Sequence, residues 1–193
     1  MASPLGHSLI SCYFLRPYAR VSGKKEATLF SALVLIVLAS LPDLDIFVGH
    51  WEGLIGEFHR TLTHSFFFAL WIGCVIALVE SLLLKGPLLK KALLYAALIA
   101  THPAVDYFAV IPPYLGAMPL FWPFSGNFYA SPVMLLPSAM TYNSVLPMRE
   151  SLLKTFVGES VLILPLLAYE GAKAWKARAR RLETASALGS LQA

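Results

Sequence analysis

The chain has 193 residues, of which 58% are hydrophobic and only 13% are charged. Soluble domains carry about 25% charged residues, so this composition excludes an ordinary soluble globular protein and indicates an integral membrane protein. The net charge of +4 does not indicate nucleic-acid binding, because the cations lie in short segments that flank apolar runs.

Apolar segments follow one another along the chain and predict an all-α fold, a polytopic membrane bundle of about four to five helical spans. In chain order, the predicted spans cover residues 5–15, 27–41, 62–84, 90–111 and 152–169. An irregular segment rich in Pro, Gly and aromatic residues, 112–150, precedes the last span. These elements predict a single membrane-embedded domain over residues 1–172, followed by a basic, partly disordered tail over residues 173–193.

The distribution of basic residues predicts how the spans are oriented. Twelve of the fifteen Lys and Arg residues fall within 16–25, 85–91 and 173–181. Because cytoplasmic loops of membrane proteins carry an excess of these residues, we place all three clusters in the cytoplasm, together with the C-terminus. Alternating spans then bring the polar residues of the apolar segments to the opposite, extracytoplasmic face.

Three polar motifs interrupt the apolar segments: LPDLD at 41–45, HRTLTHS at 59–65 and HPAVD at 102–106. They contain all three aspartates of the chain and three of its five histidines, and a further histidine stands near the start of the first apolar segment. Ionisable side chains inside a membrane mark functional sites, and imidazole and carboxylate groups are ligands of divalent metals. The predicted metal ligands are His7, Asp43, Asp45, His59, His64, His102 and Asp106.

Spacing predicts how some of these ligands converge. His102 and Asp106 are four residues apart and therefore share one face of a helix. Asp43 and Asp45 are two apart, which puts them on opposite sides of a helix but on the same side of an extended segment. Because Pro42 favours extended geometry for its neighbour, we expect this pair to reach the metal from an extended loop.

The second motif and the last span add further candidates. His59 and His64 converge only if His59 precedes a helix and His64 lies in its first turns. Arg60 can orient an anionic substrate group such as a phosphate, or it can neutralise one of the aspartates. Glu159 lies about two turns into the last predicted span. It is either an additional ligand or base, or a carboxylate at the membrane interface.

The three motifs, in this order and with Gly6-His7-Ser8 before them, resemble the YdjM-type family of inner-membrane proteins, which are regarded as metal-dependent hydrolases. The likeness covers roughly residues 3–125 and includes Trp122-Pro123-Phe124. It implies a multi-pass protein of a bacterial or archaeal cytoplasmic (inner) membrane. The seven predicted ligands and Arg60 match the polar signature of that family.

Two positions depart from the family pattern. Thr61 stands where a glycine is usual after the His-Arg pair, and Pro103 stands where an apolar residue is usual. A proline inside a helix removes a hydrogen bond, so Pro103 is expected to loosen the helix that carries His102 and Asp106.

Residues and resemblance together predict a membrane-bound hydrolase that uses one or two divalent metal ions, zinc before magnesium or manganese. We assign proton transfer to Asp43 or Asp45 and the orientation of the transferred group to Arg60. Because the site opens among aromatic residues that favour the membrane interface, the expected partners are membrane lipids. The expected substrate is a lipid or a lipid-linked phosphate or ester.

Two other functions stay open. A non-catalytic membrane protein with a structural metal site would show a closed coordination shell without a position for water. A metal transporter would need polar residues along the inner halves of its spans, and these halves are almost wholly apolar in sequence. The sequence makes no prediction of oligomeric state.

Overall fold

The computed structural model of the chain describes residues 4–52, 59–109, 117–133, 135 and 148–190. Within these residues the regular structure is helical, apart from an isolated β-bridge between Met118 and Tyr129. The α-helices in chain order are α1 (Pro4–Ser11), α2 (Leu15–Val21), α3 (Leu29–Ala39), α4 (Asp45–Trp51), α5 (Phe66–Leu84), α6 (Leu88–Tyr107) and α7 (Met148–Ser190). Short 3-10 helices cover Cys12–Phe14, Leu41–Leu44 and Leu62–His64.

The hairpin of α5 and α6 forms the centre of the bundle. α5 begins where the hydroxyl of Ser65 accepts a hydrogen bond from the backbone N–H of Phe68 at 3.0 Å. It ends at Lys85 and Gly86, whose positive φ angles of 55° and 131° turn the chain towards α6. The predicted helix over 62–84 therefore has the correct end, but its first residues form a separate 3-10 turn.

The shorter helices pack around α6. α1, α2 and α3 all contact α6, and α7 contacts α1. The side chains of Leu35, Leu98 and Ile99 are fully buried in the core that α3 and α6 share. Buried polar side chains gather at the end of the bundle where α3 and α6 finish. The bundle thus has an apolar centre and a polar end.

Two helices, α5 and α6, are long and apolar enough to cross a membrane. Two bent pairs are further candidates: α3 with Leu41–Trp51, bent by 60°, and Leu153–Val161 with Leu164–Thr184 of α7, bent by 45°. The described residues therefore hold two to four candidate spans, where the sequence predicts about four to five. The predicted first span, 5–15, is divided between α1 and the Cys12–Phe14 turn. The all-α membrane bundle is confirmed.

Pro42 and Pro103 disturb the helices less than the sequence predicts. Pro42 stands at the start of the Leu41–Leu44 3-10 helix, where its missing N–H costs nothing, and the chain stays helical as far as Trp51. Pro103 lies within α6, which continues to Tyr107. The helix thus ends before the predicted end at residue 111, since Phe108 and Ala109 already lie outside it.

Residues 117–133, part of the predicted irregular segment, pack on the start of α5. The backbone N–H of Phe66 donates to the carbonyl oxygen of Leu120 at 2.9 Å. The rings of Phe67 and Phe124 meet edge to face, with 5.8 Å between their centroids. These contacts hold an aromatic-rich segment beside the polar end of the bundle.

α7 continues through the predicted last span and along the basic segment as far as Ser190. Pro165 lies inside the helix, next to the bend between its two straight parts. The structure thus describes residues 173–190 as part of a helix, and the division of the chain at residue 173 stays a prediction.

A second set of buried polar groups lies near the opposite end of the hairpin. Lys91 is 3% exposed, and its ammonium nitrogen lies 3.0 Å from a carboxylate oxygen of Glu80. The hydroxyl of Tyr95 donates to the other oxygen of this carboxylate. The expectation that the inner halves of the spans are almost wholly apolar is therefore wrong here. Because the three groups satisfy one another, they form a closed network and not an open polar lining.

The close approach of α5 and α6 leads to a prediction about stability. A Cβ atom added to Gly73 would lie 2.5 Å from the backbone nitrogen of Ala96, and backbone cannot move aside as a flexible side chain can. We expect Gly73→Ala to lower the free energy of unfolding by about 1–3 kcal/mol, measured by unfolding the purified protein in detergent. The control is Gly171→Ala in α7, where a Cβ meets nothing within 4 Å. An equal loss in both variants would contradict the close packing.

Candidate metal centre

The polar end of the bundle brings the predicted ligands together from separate elements. α6 carries His102 and Asp106, the bend after α3 carries Asp43 and Asp45, and α1 carries His7. The second motif lies in the turn that leads into α5. The buried members of this cluster are His7, Asp45, Arg60, His64, His102 and Asp106.

Four side chains form a compact group, the quartet of Asp43, His64, His102 and Asp106. The Nε2 atom of His102 lies 3.1 Å from Oδ1 of Asp43 and 4.0 Å from Oδ2 of Asp106. The Nε2 atom of His64 lies 3.6 Å and 3.7 Å from the same two oxygens. Neighbouring ligand atoms around a tetrahedral zinc ion are ~3.3 Å apart, so the quartet has nearly the spacing of a metal site.

The i, i+4 pair on α6 converges as predicted even though Pro103 lies between its members. The helix stays regular enough for His102 and Asp106 to face the same point. The departure from the family pattern at Pro103 therefore leaves the ligand geometry intact.

The surroundings of His102 fix its tautomer. Its Nδ1 lies 2.8 Å from the carbonyl oxygen of Ala39. A carbonyl only accepts hydrogen bonds, so Nδ1 carries the proton and donates it. In neutral His102 the lone pair is then on Nε2, which faces Asp43 and Asp106. A histidine oriented by such a hydrogen bond is a typical metal ligand.

A chain of two hydrogen bonds gives His64 the same tautomer, with the proton on Nδ1. The hydroxyl of Thr63 lies 2.6 Å from Oδ2 of Asp45 and donates to it, because a carboxylate only accepts. That hydroxyl also lies 3.0 Å from Nδ1 of His64. Because its own proton is donated to Asp45, the hydroxyl oxygen accepts a hydrogen bond from the Nδ1–H of His64. The lone pair of neutral His64 is then on Nε2 as well. Within the described residues this Nε2 atom has no hydrogen-bond partner.

The quartet therefore attracts a cation. Two nitrogen lone pairs and two carboxylates that face one another repel unless positive charge lies among them. Burial by itself lowers the pKa of His64, but the nearby carboxylates of Asp43 and Asp45 outweigh burial, and the pKa is raised. The donor set of two imidazoles and two carboxylates fits a divalent metal ion.

A second group adjoins the quartet and consists of Asp45, His59 and His64. The Nδ1 atom of His59 lies 2.8 Å from Oδ1 of Asp45. The rings of His59 and His64 meet edge to face at 5.1 Å, so these two histidines converge from the turn before α5 as the sequence required. His64 belongs to both groups, so the cluster contains two overlapping sets of side chains that could each hold a metal ion.

The prediction that Asp43 and Asp45 share one side of an extended loop is wrong. Leu41–Leu44 is a 3-10 helix and Asp45 opens α4, so the two carboxylates leave the backbone in different directions. Asp43 approaches His102, whereas Asp45 approaches His59. The helical bend thus supplies one carboxylate to the quartet and one to the adjoining group.

Arg60 forms an ion pair inside the cluster. Its Nη2 atom donates to Oδ2 of Asp106 at 3.1 Å, and the residue is only 5% exposed. Its φ angle of 66° lies in the left-handed region, and its backbone N–H donates to Oδ2 of Asp45 at 3.2 Å. Of the two roles that the sequence left open, the structure shows neutralisation of an aspartate, and that aspartate is Asp106.

We expect Arg60→Ala to lower the free energy of unfolding by about 3–5 kcal/mol in chelator, because it leaves the buried carboxylate of Asp106 uncompensated. Added metal should recover part of the loss, since a cation in the quartet offsets the same charge. Unfolding in detergent, with chelator and with added zinc, measures both effects. The control is Arg149→Ala, an exposed arginine of α7. Equal stability of the two variants in chelator would contradict the assigned ion pair.

His7 and Glu159 lie beside the quartet and not in it. The ring of His7 stacks on that of His102 at 3.8 Å, and its Nε2 lies 3.5 Å from Oδ1 of Asp106. Glu159 is fully buried, and a Cβ added to Gly6 would lie 2.8 Å from its Oε2. Neither side chain belongs to the two metal-binding groups found among the described residues. Their roles as ligand or base stay predictions.

Sequence reasoning missed two groups that orient the histidines. Thr63 lies inside the second motif, but its hydroxyl is a weaker metal ligand than the neighbouring histidines. Its role in orienting His64 is visible only from its hydrogen bonds. The carbonyl oxygen of Ala39 belongs to the backbone, so no residue type signals its role. Both groups act on tautomers, which only the folded structure fixes.

The helices and the buried histidine–aspartate cluster define an α-helical membrane protein with side chains able to hold a metal ion. The family model described as YdjM inner membrane protein matches residues 1–180, so the chain belongs to this family and to the inner membrane. The resemblance of the three motifs is thereby confirmed over a longer range than residues 3–125. Comparisons with curated proteins and with solved structures gave no match.

Proposed function

We propose that the chain is a multi-pass membrane hydrolase that depends on a divalent metal and cleaves a lipid or a lipid-linked phosphate or ester. One observation carries this proposal. The Nε2 atoms of His64 and His102 face the same two carboxylate oxygens of Asp43 and Asp106. Such a donor set suits zinc best, and magnesium or manganese less well.

The quartet would hold the ion, and a second ion would lie between Asp45 and His59. When bound at such a site, a divalent metal lowers the pKa of water and polarises a phosphoryl or acyl oxygen. Oδ1 and Oδ2 of Asp45 both accept hydrogen bonds, whereas Asp43 faces His64 and His102, among the described residues, through Oδ1. Asp43 is also 13% exposed, so its Oδ2 is the better acceptor for a proton.

Arg60 would act mainly through Asp106, by keeping that carboxylate ionised and oriented. Orientation of an anionic substrate group by the same guanidinium is the alternative that the sequence suggested. The replacement Arg60→Lys distinguishes the two roles, because lysine keeps the positive charge but lacks the planar guanidinium that can donate two parallel hydrogen bonds. A substrate contact would show as lost turnover with metal still bound.

Lipid is the favoured substrate class because exposed aromatic side chains surround the polar end of the bundle. Phe47 and Trp51 of α4 are 71% and 89% exposed, and Phe124 and Phe128 are 83% and 61% exposed. Aromatic residues concentrate at membrane interfaces, so this end would lie at the level of the lipid headgroups. Together with the basic residues of the other end, this arrangement supports an extracytoplasmic site and a cytoplasmic C-terminus.

The test presents short-chain phospholipid and polyprenyl-phosphate analogues to the purified protein, with and without chelator. We expect turnover that chelator abolishes and added zinc restores, and that His50→Ala leaves unchanged. His50 lies exposed on α4, outside both metal-binding groups. Turnover that persists in chelator, or none while the metal is bound, would contradict the hydrolase.

A structural metal site is the second candidate, and one observation favours it. His64, His102 and Asp106 are fully buried, which is the environment of a closed coordination shell. It predicts bound metal and metal-dependent stability with no hydrolysis of any analogue. The same assay therefore decides between the two functions.

A further inference from the structure

A cavity of about 680 Å³ lies at the end of the bundle opposite the metal centre, between α2 with the turn that follows it and the C-terminal half of α7. Its cations are Arg16, Arg20, Lys25, Arg178 and Arg181. Among the described residues that line it, Glu26 is the only one with a carboxylate. We propose that this cavity binds the phosphodiester headgroup of an anionic membrane lipid.

The charges in this cavity are unbalanced. Within the described part of the chain, none of the five cations takes part in a salt bridge. Like charges gathered from segments about 150 residues apart repel one another, so assembly of the cavity costs free energy. A bound anion offsets that cost. A metal cation would not offset it, because the cavity presents guanidinium and ammonium groups, which are positively charged and do not bind metal ions.

The surroundings of the cavity indicate a lipid in preference to a free anion. Its lining includes the small side chains of Ala19, Ala174 and Ala177, which leave space between the two helices. The start of α3 lies next to it along the chain and presents Leu29 and Phe30, which are 78% and 69% exposed. A headgroup in the cavity can therefore extend its acyl chains along an exposed apolar helix.

The position also agrees with membrane electrostatics. Basic pockets between membrane helices on the cytoplasmic side recognise anionic headgroups, and each nearby Lys or Arg contributes to the attraction. The cavity lies at the end where we place the cytoplasm. A site there would anchor the bundle in the leaflet opposite the metal centre, and it does not depend on hydrolysis.

The test measures lipid binding to the purified full chain by native mass spectrometry. Phosphatidylglycerol is the anionic probe, phosphatidylcholine is the zwitterionic control, and glycerophosphoglycerol, the deacylated lipid, represents the phosphodiester headgroup alone. The pair Arg20→Gln and Arg178→Gln removes two cavity cations. The matched pair Lys90→Gln and Arg180→Gln removes the same charge from exposed positions that do not line the cavity.

We expect the cavity pair to weaken phosphatidylglycerol binding by about tenfold and the matched pair by less than about twofold, with phosphatidylcholine unaffected. The single variant Arg178→Gln should also weaken phosphatidylglycerol binding, by a smaller factor. It changes only one exposed side chain, so it should leave the fold intact. Equal losses in both pairs, equal binding of the two lipids, or glycerophosphoglycerol binding as tight as the lipid would each overturn the proposal.

Discussion

Replacing His102 with alanine is expected to reduce the metal content of the purified protein from about one ion per chain to nearly none. His102 supplies one of the four ligand atoms of the quartet, and its Nε2 lies 3.1 Å from Oδ1 of Asp43. Its Nδ1 is anchored to the carbonyl oxygen of Ala39, which holds Nε2 towards the carboxylates of the quartet. Elemental analysis of detergent-purified protein measures the result.

The matched control for this experiment is His50→Ala, which removes an exposed imidazole of α4 and should leave the metal content unchanged. A second variant, His102→Asn, keeps a polar group beside Asp106 and so separates loss of metal from loss of fold. Equal metal content in wild type and in both His102 variants would show that the quartet does not hold the ion.

Chelation is expected to destabilise the wild-type protein strongly and the His102→Ala variant hardly at all. A ligand present at about 1,000 times its dissociation constant stabilises a fold by about 4 kcal/mol. For a chain of this size the loss corresponds to a decrease in Tm of about 8–16 °C. The variant has already lost the ion, so chelator removes nothing further from it. Thermal unfolding in detergent, with and without chelator, measures both.

This pair of measurements also separates the quartet from the rest of the cluster. If metal stabilised the protein through some other site, chelation would lower the Tm of wild type and His102→Ala equally. That outcome would contradict the assignment even if the total metal content were high.

The helical membrane fold could be predicted because its signals are local. The low content of charged residues and the long apolar runs can be read from composition and length alone. They predicted the helices α5 and α6 to within a few residues of their ends. The number of spans was harder to predict, because the chain bends after α3 and within α7, and a break of a few residues decides whether two short helices act as one span. Such a bend depends on packing that a hydropathy pattern does not contain.

The candidate site was predictable as a set of residues but not as a geometry. Ionisable side chains inside apolar segments are costly, so His102 and Asp106 stood out without any structure. Their i, i+4 spacing then gave the shared helix face. For Asp43 and Asp45 the local preference of the chain next to Pro42 was outweighed by the helical bend, which separated the pair between two groups.

The partner of a buried charge was the least predictable feature. Arg60 follows His59 in sequence and lies close to Asp45, yet its guanidinium pairs with Asp106, 46 residues further along the chain. Lys91 likewise pairs with Glu80 across the hairpin. Long side chains reach several candidates within one turn, and only the packing of the helices selects among them.

X-ray absorption spectroscopy of the zinc-loaded protein tests the central claim most directly, because it reports the atoms bound to the ion. We predict ligands of nitrogen and oxygen at about 2.0–2.1 Å, with the scattering pattern of two imidazole rings. His102→Ala, incubated with zinc and then freed of unbound ion, should retain too little zinc to give this pattern. A ligand shell made of oxygen alone, or one that contains sulfur, would contradict a metal centre built from His64, His102, Asp43 and Asp106.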